Sequence, residues 1–164
     1  MRRLPVMCLL VPLALGLAPG SANAATSCHT INATGVGSGA PPEAGDPANL
    51  VRTLARLSDA GLLQGTTRAA FTIVAPTPVG FAFAGDLVVT TNRATLTVAL
   101  TGTLDVSTGD FSATGPVVSA TGKLAGASGQ LTLSGVQDLA DPAGSFTETV
   151  TGEICVDLGA DGAG

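Results

Sequence analysis

From Leu62 onward the chain alternates apolar and polar residues with a period of two, in short runs closed by turn-forming residues. Ala69, Phe71 and Ile73 share one face of such a run, and Phe81, Phe83, Leu87 and Val89 share another. Leu96, Val98, Leu100 and Leu104 repeat the pattern, with Thr95, Thr97, Thr101 and Thr103 opposite them. Successive side chains of a strand point to opposite faces, so these runs want one covered side and one wet side. Between them, Thr91-Asn92-Arg93, Ser107-Thr108-Gly109-Asp110 and Asp141-Pro142-Ala143-Gly144 supply the residues of tight connections. Connections this short join antiparallel neighbours, because a parallel pair needs a crossover of a dozen or more residues. The chain is thereby directed to an all-β fold built from hairpins.

About eight strands can be counted, and a closed antiparallel up-and-down β-barrel would remove the exposed edges an open sheet must protect. Gly85, Gly102 and Gly152 suit the bends of such a barrel. The first strand is expected over Cys28–Val36, followed by an exposed loop over Gly37–Asn49. Residues 47–59 remain open between two readings. Asp46-Pro47 has the form of an N-cap followed by proline, and Leu50, Leu54 and Leu57 fall at helical spacing; Arg52–Leu57 also tolerates a strand. A weak internal repeat links Asp105-Val106 and Gly109–Gly115 to Asp138-Leu139 and Gly144–Thr149. Each copy reads as a turn opening a strand, with a phenylalanine two residues after the glycine pointing into the core. Shared hairpin grammar accounts for it.

The N-terminus has the form of an export signal: basic Arg2-Arg3, an apolar run from Leu4 to Leu17, and Ala22-Asn23-Ala24 with small residues at the positions a signal peptidase reads. Cleavage is expected after Ala24. The run is shorter than the roughly 20 apolar residues that span a bilayer, and prolines interrupt it. The expected organisation is thus a signal peptide over 1–24, one barrel domain over 25–157 and a flexible tail over 158–164, in a secreted or periplasmic protein. Removing Arg2 and Arg3 leaves five basic residues against twelve acidic ones, a formal charge of −7 with no Lys/Arg cluster. Nucleic acid and anionic membrane surfaces are poor partners for such a chain, and no second apolar stretch is long enough to form a membrane span. Trp and Tyr are absent, so Phe71, Phe81, Phe83, Phe111 and Phe146 are the only aromatic carbocycles available for stacking or for anchoring an interface. In an oxidising compartment Cys28 and Cys155 most simply form a disulfide, which would join the first and last strands. A metal site made of Cys28, His29 and Cys155 lacks the ligands at close spacing that zinc demands.

The stretch Ser119-Ala120-Thr121-Gly122-Lys123-Leu124-Ala125-Gly126-Ala127-Ser128-Gly129 resembles the Gly-Thr-Gly-x-Phe-x-x-Ala-Arg-Gly segment of dirigent proteins and their relatives in the allene oxide cyclase-like barrel superfamily. Thr121, Gly122, Ala127 and Gly129 fit that pattern, and Leu124 stands for the aromatic. The following Leu-Thr-Leu-Ser-Gly strand and the Phe-Thr-Glu-Thr-Val-Thr-Gly-Glu-Ile-Cys ending resemble small exported bacterial proteins of this barrel type. The resemblance implies an antiparallel barrel of six to eight strands, often a homo-trimer, and argues for a strand near Arg52–Leu57. It carries no activity with it: Ser128 stands where the dirigent pattern has arginine, and no acid matches a catalytic one residue by residue.

Among the motifs of chemistry, a Ser-His-Asp arrangement would have to use His29, beside the expected disulfide, and there is no nucleophile elbow, phosphate loop or His-Glu-x-x-His. No cofactor or metal is expected. Glu148 is the one candidate catalytic residue. Alternation puts it on the side of Phe146 and Val150, facing inward, where a carboxyl could act as an acid, a base or a ligand anchor. Arg68 is the basic side chain expected nearest a barrel mouth, and Asp86 is expected to face solvent. The interior residues expected to meet a small apolar ligand are Phe71, Phe81, Phe83, Leu96, Val98, Leu100, Leu131 and Leu133. Three functions follow: a binding module without catalysis, an isomerase or cyclase acting on an apolar substrate, or a structural protein with a filled barrel.

Overall fold

Eight antiparallel strands close into one up-and-down barrel, each paired with the next in sequence and the last with the first. They are β1 (Ser27–Ala40), β2 (Leu50–Ser58), β3 (Gly65–Pro76), β4 (Gly80–Thr91), β5 (Thr95–Asp105), β6 (Asp110–Ala120), β7 (Ser128–Gln137) and β8 (Phe146–Val156). The computed structural model describes residues 26–158. The expected signal peptide over 1–24 and the tail from residue 159 lie outside the described residues. The seam between β1 and β8 runs from Ser27↔Val156 to Gly37↔Phe146, and the directly opposed Cys28 and Cys155 are joined by a disulfide.

Residues 50–58 form a strand, and the barrel explains why the helical signals around Asp46-Pro47 lose. β2 pairs with β1 on one side and β3 on the other, and a helix there would leave two strand edges without partners. Its inward residues are Val51, Thr53, Ala55 and Leu57, so Leu57 is 1% exposed while Leu54, one step along the helical stripe, points outward at 42%. β1 also runs further than expected. Gly37–Ala40 stay in the ladder by pairing with Ala55–Arg52, which shortens the first loop to residues 41–49.

The strand ends divide into two sets. At the end holding Ser27 and Val156, short 3-10 turns at Gly61–Leu63 and Gly122–Leu124 fold Leu63 and Leu124 into the barrel. They pack over Val89, Leu96, Val98, Leu131, Ile154 and Val156, all between 0% and 2% exposed, so this end is solid. Leu158 lies partly buried against the same core. The opposite end carries the β1–β2, β3–β4, β5–β6 and β7–β8 connections and forms the mouth.

Outward positions are rich in hydroxyls. Thr101, Thr114, Thr132 and Thr151 stand in register across β5 to β8, with Thr114 and Thr132 hydroxyls 3.2 Å apart. These hydroxyls share the outer surface with exposed apolar side chains, among them Val36, Leu54, Val74, Val118 and Val136. Among the described residues no helix is long and apolar enough to cross a membrane.

Candidate binding site

All five phenylalanines of the chain converge on the mouth end, around a cavity of about 120 Å³. β3 and β4 supply Phe71 and Phe83, whose ring centroids lie 4.9 Å apart, together with Phe81. β6 and β8 supply Phe111 and Phe146, which meet edge to face at 5.9 Å and 85°. These last two are the phenylalanines of the internal repeat. Each follows a turn whose glycine takes a positive φ, +81° at Gly109 and +59° at Gly144, a backbone setting that side-chain-bearing residues rarely adopt. Val51, Thr53, Ile73, Leu104 and Gln137 complete most of the wall.

Small residues on neighbouring strands make room for these rings. A Cβ at Gly37 would fall on the Phe146 ring, 2.5 Å from the Leu54 carbonyl and 2.6 Å from the Ala55 methyl. Gly37→Ala is therefore expected to cost ~1–3 kcal/mol, the usual penalty of overpacking. Urea unfolding followed by far-ultraviolet circular dichroism would measure it, and an unchanged midpoint would mean that the ring and strand step aside freely.

Glu148 forms part of the cavity wall, one inward step below Phe146 on β8. Its two cross-strand partners are both glycines, Gly35 on β1 and Gly135 on β7. A Cβ at Gly35 would come within 2.7 Å of the carboxyl Oε1, so the absence of a side chain there is what lets the carboxyl lie against the β1 backbone. The residue is 6% exposed, and Oε1 has no hydrogen-bond partner among the described residues. Removal from water disfavours the charged form and pushes the pKa from 4.5 up to about 7. The arrangement can bind a hydrogen-bond donor, or hold or deliver a proton, inside an otherwise apolar chamber.

The rim is acidic and ordered by its own hydrogen bonds. Arg52 grips Asp46 through two N–H groups at 2.7 and 2.8 Å and reaches Glu43 at 3.2 Å, which pins the 41–49 loop. That grip, aided by the Glu43 backbone N–H, holds the Asp46 carboxyl down at about 2. Asp105 is kept below its ordinary value chiefly by the Ser107 hydroxyl, and Asp141 chiefly by the Ser145 side chain. Asp110 and Asp138 flank the same two hairpins, in which no Lys or Arg occurs.

Of the residues expected to meet a ligand, Phe71, Phe81 and Phe83 line the cavity. Leu96, Val98, Leu100, Leu131 and Leu133 do not; they are 0–3% exposed in the packed core deeper in the barrel. Arg68 lies on the outer surface of β3, opposite Leu54 and 3.3 Å from Glu43, and not in the mouth. Asp86 is exposed. His29 sits at the closed end with Nε2 2.9 Å from the Ser27 hydroxyl, far along the seam from Glu148. Cys28, Glu153 and Cys155 bring potential metal ligands together, but both sulfurs are consumed by the disulfide, which leaves no thiolate to bind an ion.

Fold and site together define a closed eight-stranded barrel that is solid at one end and hollow at the other, with a buried carboxyl in the wall of the hollow. No family model, curated protein or solved structure matches the chain.

Proposed function

We propose that the protein is an exported binding module that takes one small apolar molecule into the mouth-end cavity. The observation that carries this reading is the cavity itself: five phenylalanine rings around about 120 Å³. An apolar cavity of ~150 Å³ is known to admit benzene, so the space suits one ring or a short branched chain, with any remainder extending through the mouth. The Cys28–Cys155 bond supports export to an oxidising compartment. Kinship with the allene oxide cyclase and dirigent barrels, and assembly as a trimer, belong to the same proposal.

Titration calorimetry with ethylbenzene tests the reading directly. Saturable one-to-one binding supports it, and its loss on enlarging Thr53, as in Thr53→Phe, would assign the binding to the cavity. Absence of any binding would return the molecule to a structural role. Native mass spectrometry of the protein from its own host's secreted fraction would name the ligand class and report the oligomeric state.

Glu148 favours a second reading, an isomerase or cyclase in which the buried carboxyl moves a proton on an apolar substrate. A pKa near 7 suits a general acid or base at neutral pH. With a candidate substrate in hand, Glu148→Gln separates the two. Retained affinity with lost turnover indicates catalysis, and no turnover in either protein leaves binding.

A further inference from the structure

We infer that the ligand of this cavity is a small organic amine, bound as its ammonium with the nitrogen on Glu148 and the hydrocarbon part among the phenylalanine rings. The inference rests on the binding reading above and narrows it from apolar molecules in general to cationic ones.

Three independent features point the same way. First, the carboxyl of Glu148 lines the cavity with Oε1 buried and unpartnered, and no Lys, Arg or His is among the described residues of the wall. A buried acceptor without a partner is costly, and a carboxylate without a counter-charge more so. A ligand that brings a cation to this carboxyl supplies the counter-charge that the wall lacks. Second, five phenylalanine rings line the wall, and the quadrupole of such a ring attracts a cation held over its face within about 6 Å. An aromatic enclosure with one carboxylate favours an ammonium over a neutral isostere and rejects an anion. Third, the entrance is negative. Asp105, Asp110, Asp138 and Asp141 surround the β5–β6 and β7–β8 hairpins without a basic residue between them, and the two arginines nearest the 41–49 loop, Arg52 and Arg68, are ion-paired with Asp46 and Glu43. Such a rim steers cations inward.

The proton balance is simple. A protonated amine entering when Glu148 is protonated displaces that proton to solvent; a neutral amine takes it up directly. Both routes end in the same ammonium–carboxylate pair. The size of the cavity limits the buried part to about one ring.

Benzylamine and ethylbenzene are nearly isosteric and differ in the charged head, which makes them the probes of choice. In calorimetry on the disulfide-bonded protein at pH 8, benzylamine is expected to bind at least ten times more tightly than ethylbenzene, with phenylacetate weaker than either. Lowering the pH from 8 to 5 should weaken benzylamine at least tenfold and leave ethylbenzene within about twofold. In Glu148→Gln the preference for the amine should vanish while ethylbenzene still binds. Equal affinity of the wild-type protein for the two probes, or benzylamine binding that ignores pH, overturns the amine inference and leaves the apolar binding module standing. Failure of both probes to bind overturns the module and the inference together. The comparison of probes and pH in the wild-type protein decides the matter even where the Gln variant does not fold.

Discussion

Replacing Cys28 and Cys155 together by serine is expected to lower the unfolding free energy by about 3–5 kcal/mol, the largest single loss anticipated in this molecule. The bond closes a sequence separation of 127 residues. Chain-entropy arguments assign roughly 5 kcal/mol to a loop of that length, and native disulfides removed from small exported domains usually cost 2–5 kcal/mol. The position adds a second reason. β1 and β8 are the most distant strands in sequence and form the seam that closes the barrel, so their pairing carries the greatest loop-closure cost of any in the fold. Guanidinium unfolding of the double variant and of the reduced wild-type protein should give the same loss. A loss under 1 kcal/mol would show that the unfolded chain already keeps its ends together. Because the sulfurs lie at the solid end, binding of ethylbenzene well below the unfolding transition should be unaffected.

The second large effect is a loss of stability as pH rises through the neutral range. Glu148 ionises near 4.5 in an unfolded chain and near 7 in the barrel. Below pH 4.5 both states hold the proton and the site contributes no difference. Between 4.5 and 7 the unfolded chain releases it while the native state keeps it, so stability falls by about 1.4 kcal/mol per pH unit. The total is about 3 kcal/mol, constant above pH 7. Asp46, Asp105 and Asp141 act in the opposite sense. Their depressed values give stability that is present above pH 3.8 and is lost as pH falls through those values. Stability should therefore peak between about pH 4 and 5, below the neutral optimum common among proteins. In Glu148→Gln the falling limb between pH 5 and 7 should disappear while the acid limb remains. Thermal unfolding across pH 3–8 measures both limbs, and a wild-type profile that is flat from pH 5 to 8 would mean that the carboxyl is solvated in the native state.

From β3 onward the face of each strand was legible in the sequence, whereas its height along the barrel was not. Alternation assigns Phe83, Leu96, Leu131 and Glu148 to the interior because a period of two is a local property. Whether an interior residue lies at the solid end or the hollow end depends on which hairpins share an end. Leu96, Val98, Leu100, Leu131 and Leu133 therefore looked equivalent to the phenylalanines, although they pack the core below the cavity. A signal did exist. Phe111 and Phe146 each follow a glycine-bearing turn by two residues, and alternate turns of an up-and-down barrel lie at the same end, which places both rings at the mouth. Leu63 and Leu124, in two of the three remaining turns, mark the closed end in the same way.

Residues 47–59 show the complementary limit. Asp46 is no helix cap; its carboxylate receives the Arg52 guanidinium and the Glu43 backbone N–H, and so fixes a loop. A proline and three leucines at helical spacing are outweighed by two strand edges that would otherwise stay unpaired. The extension of β1 through Gly37–Ala40 was hidden for a related reason. Glycines read as loop in isolation, yet Gly37 serves the ring of Phe146 across the seam.

The seam has a consequence for the covalent integrity of the molecule. With Cys28 bound to Cys155, the backbone between them and the sulfur bridge form one continuous hoop. A protease that severs any single connection between strands, including the 41–49 loop at the rim, releases no fragment, because all eight strands stay in one covalent piece through the bridge. Ser27 and Val156 stand side by side on adjacent strands, so a short linker could join β8 to β1 and the chain could be opened at an exposed hairpin instead. A chain joined there and opened at the β5–β6 turn would enclose the same phenylalanine-lined chamber.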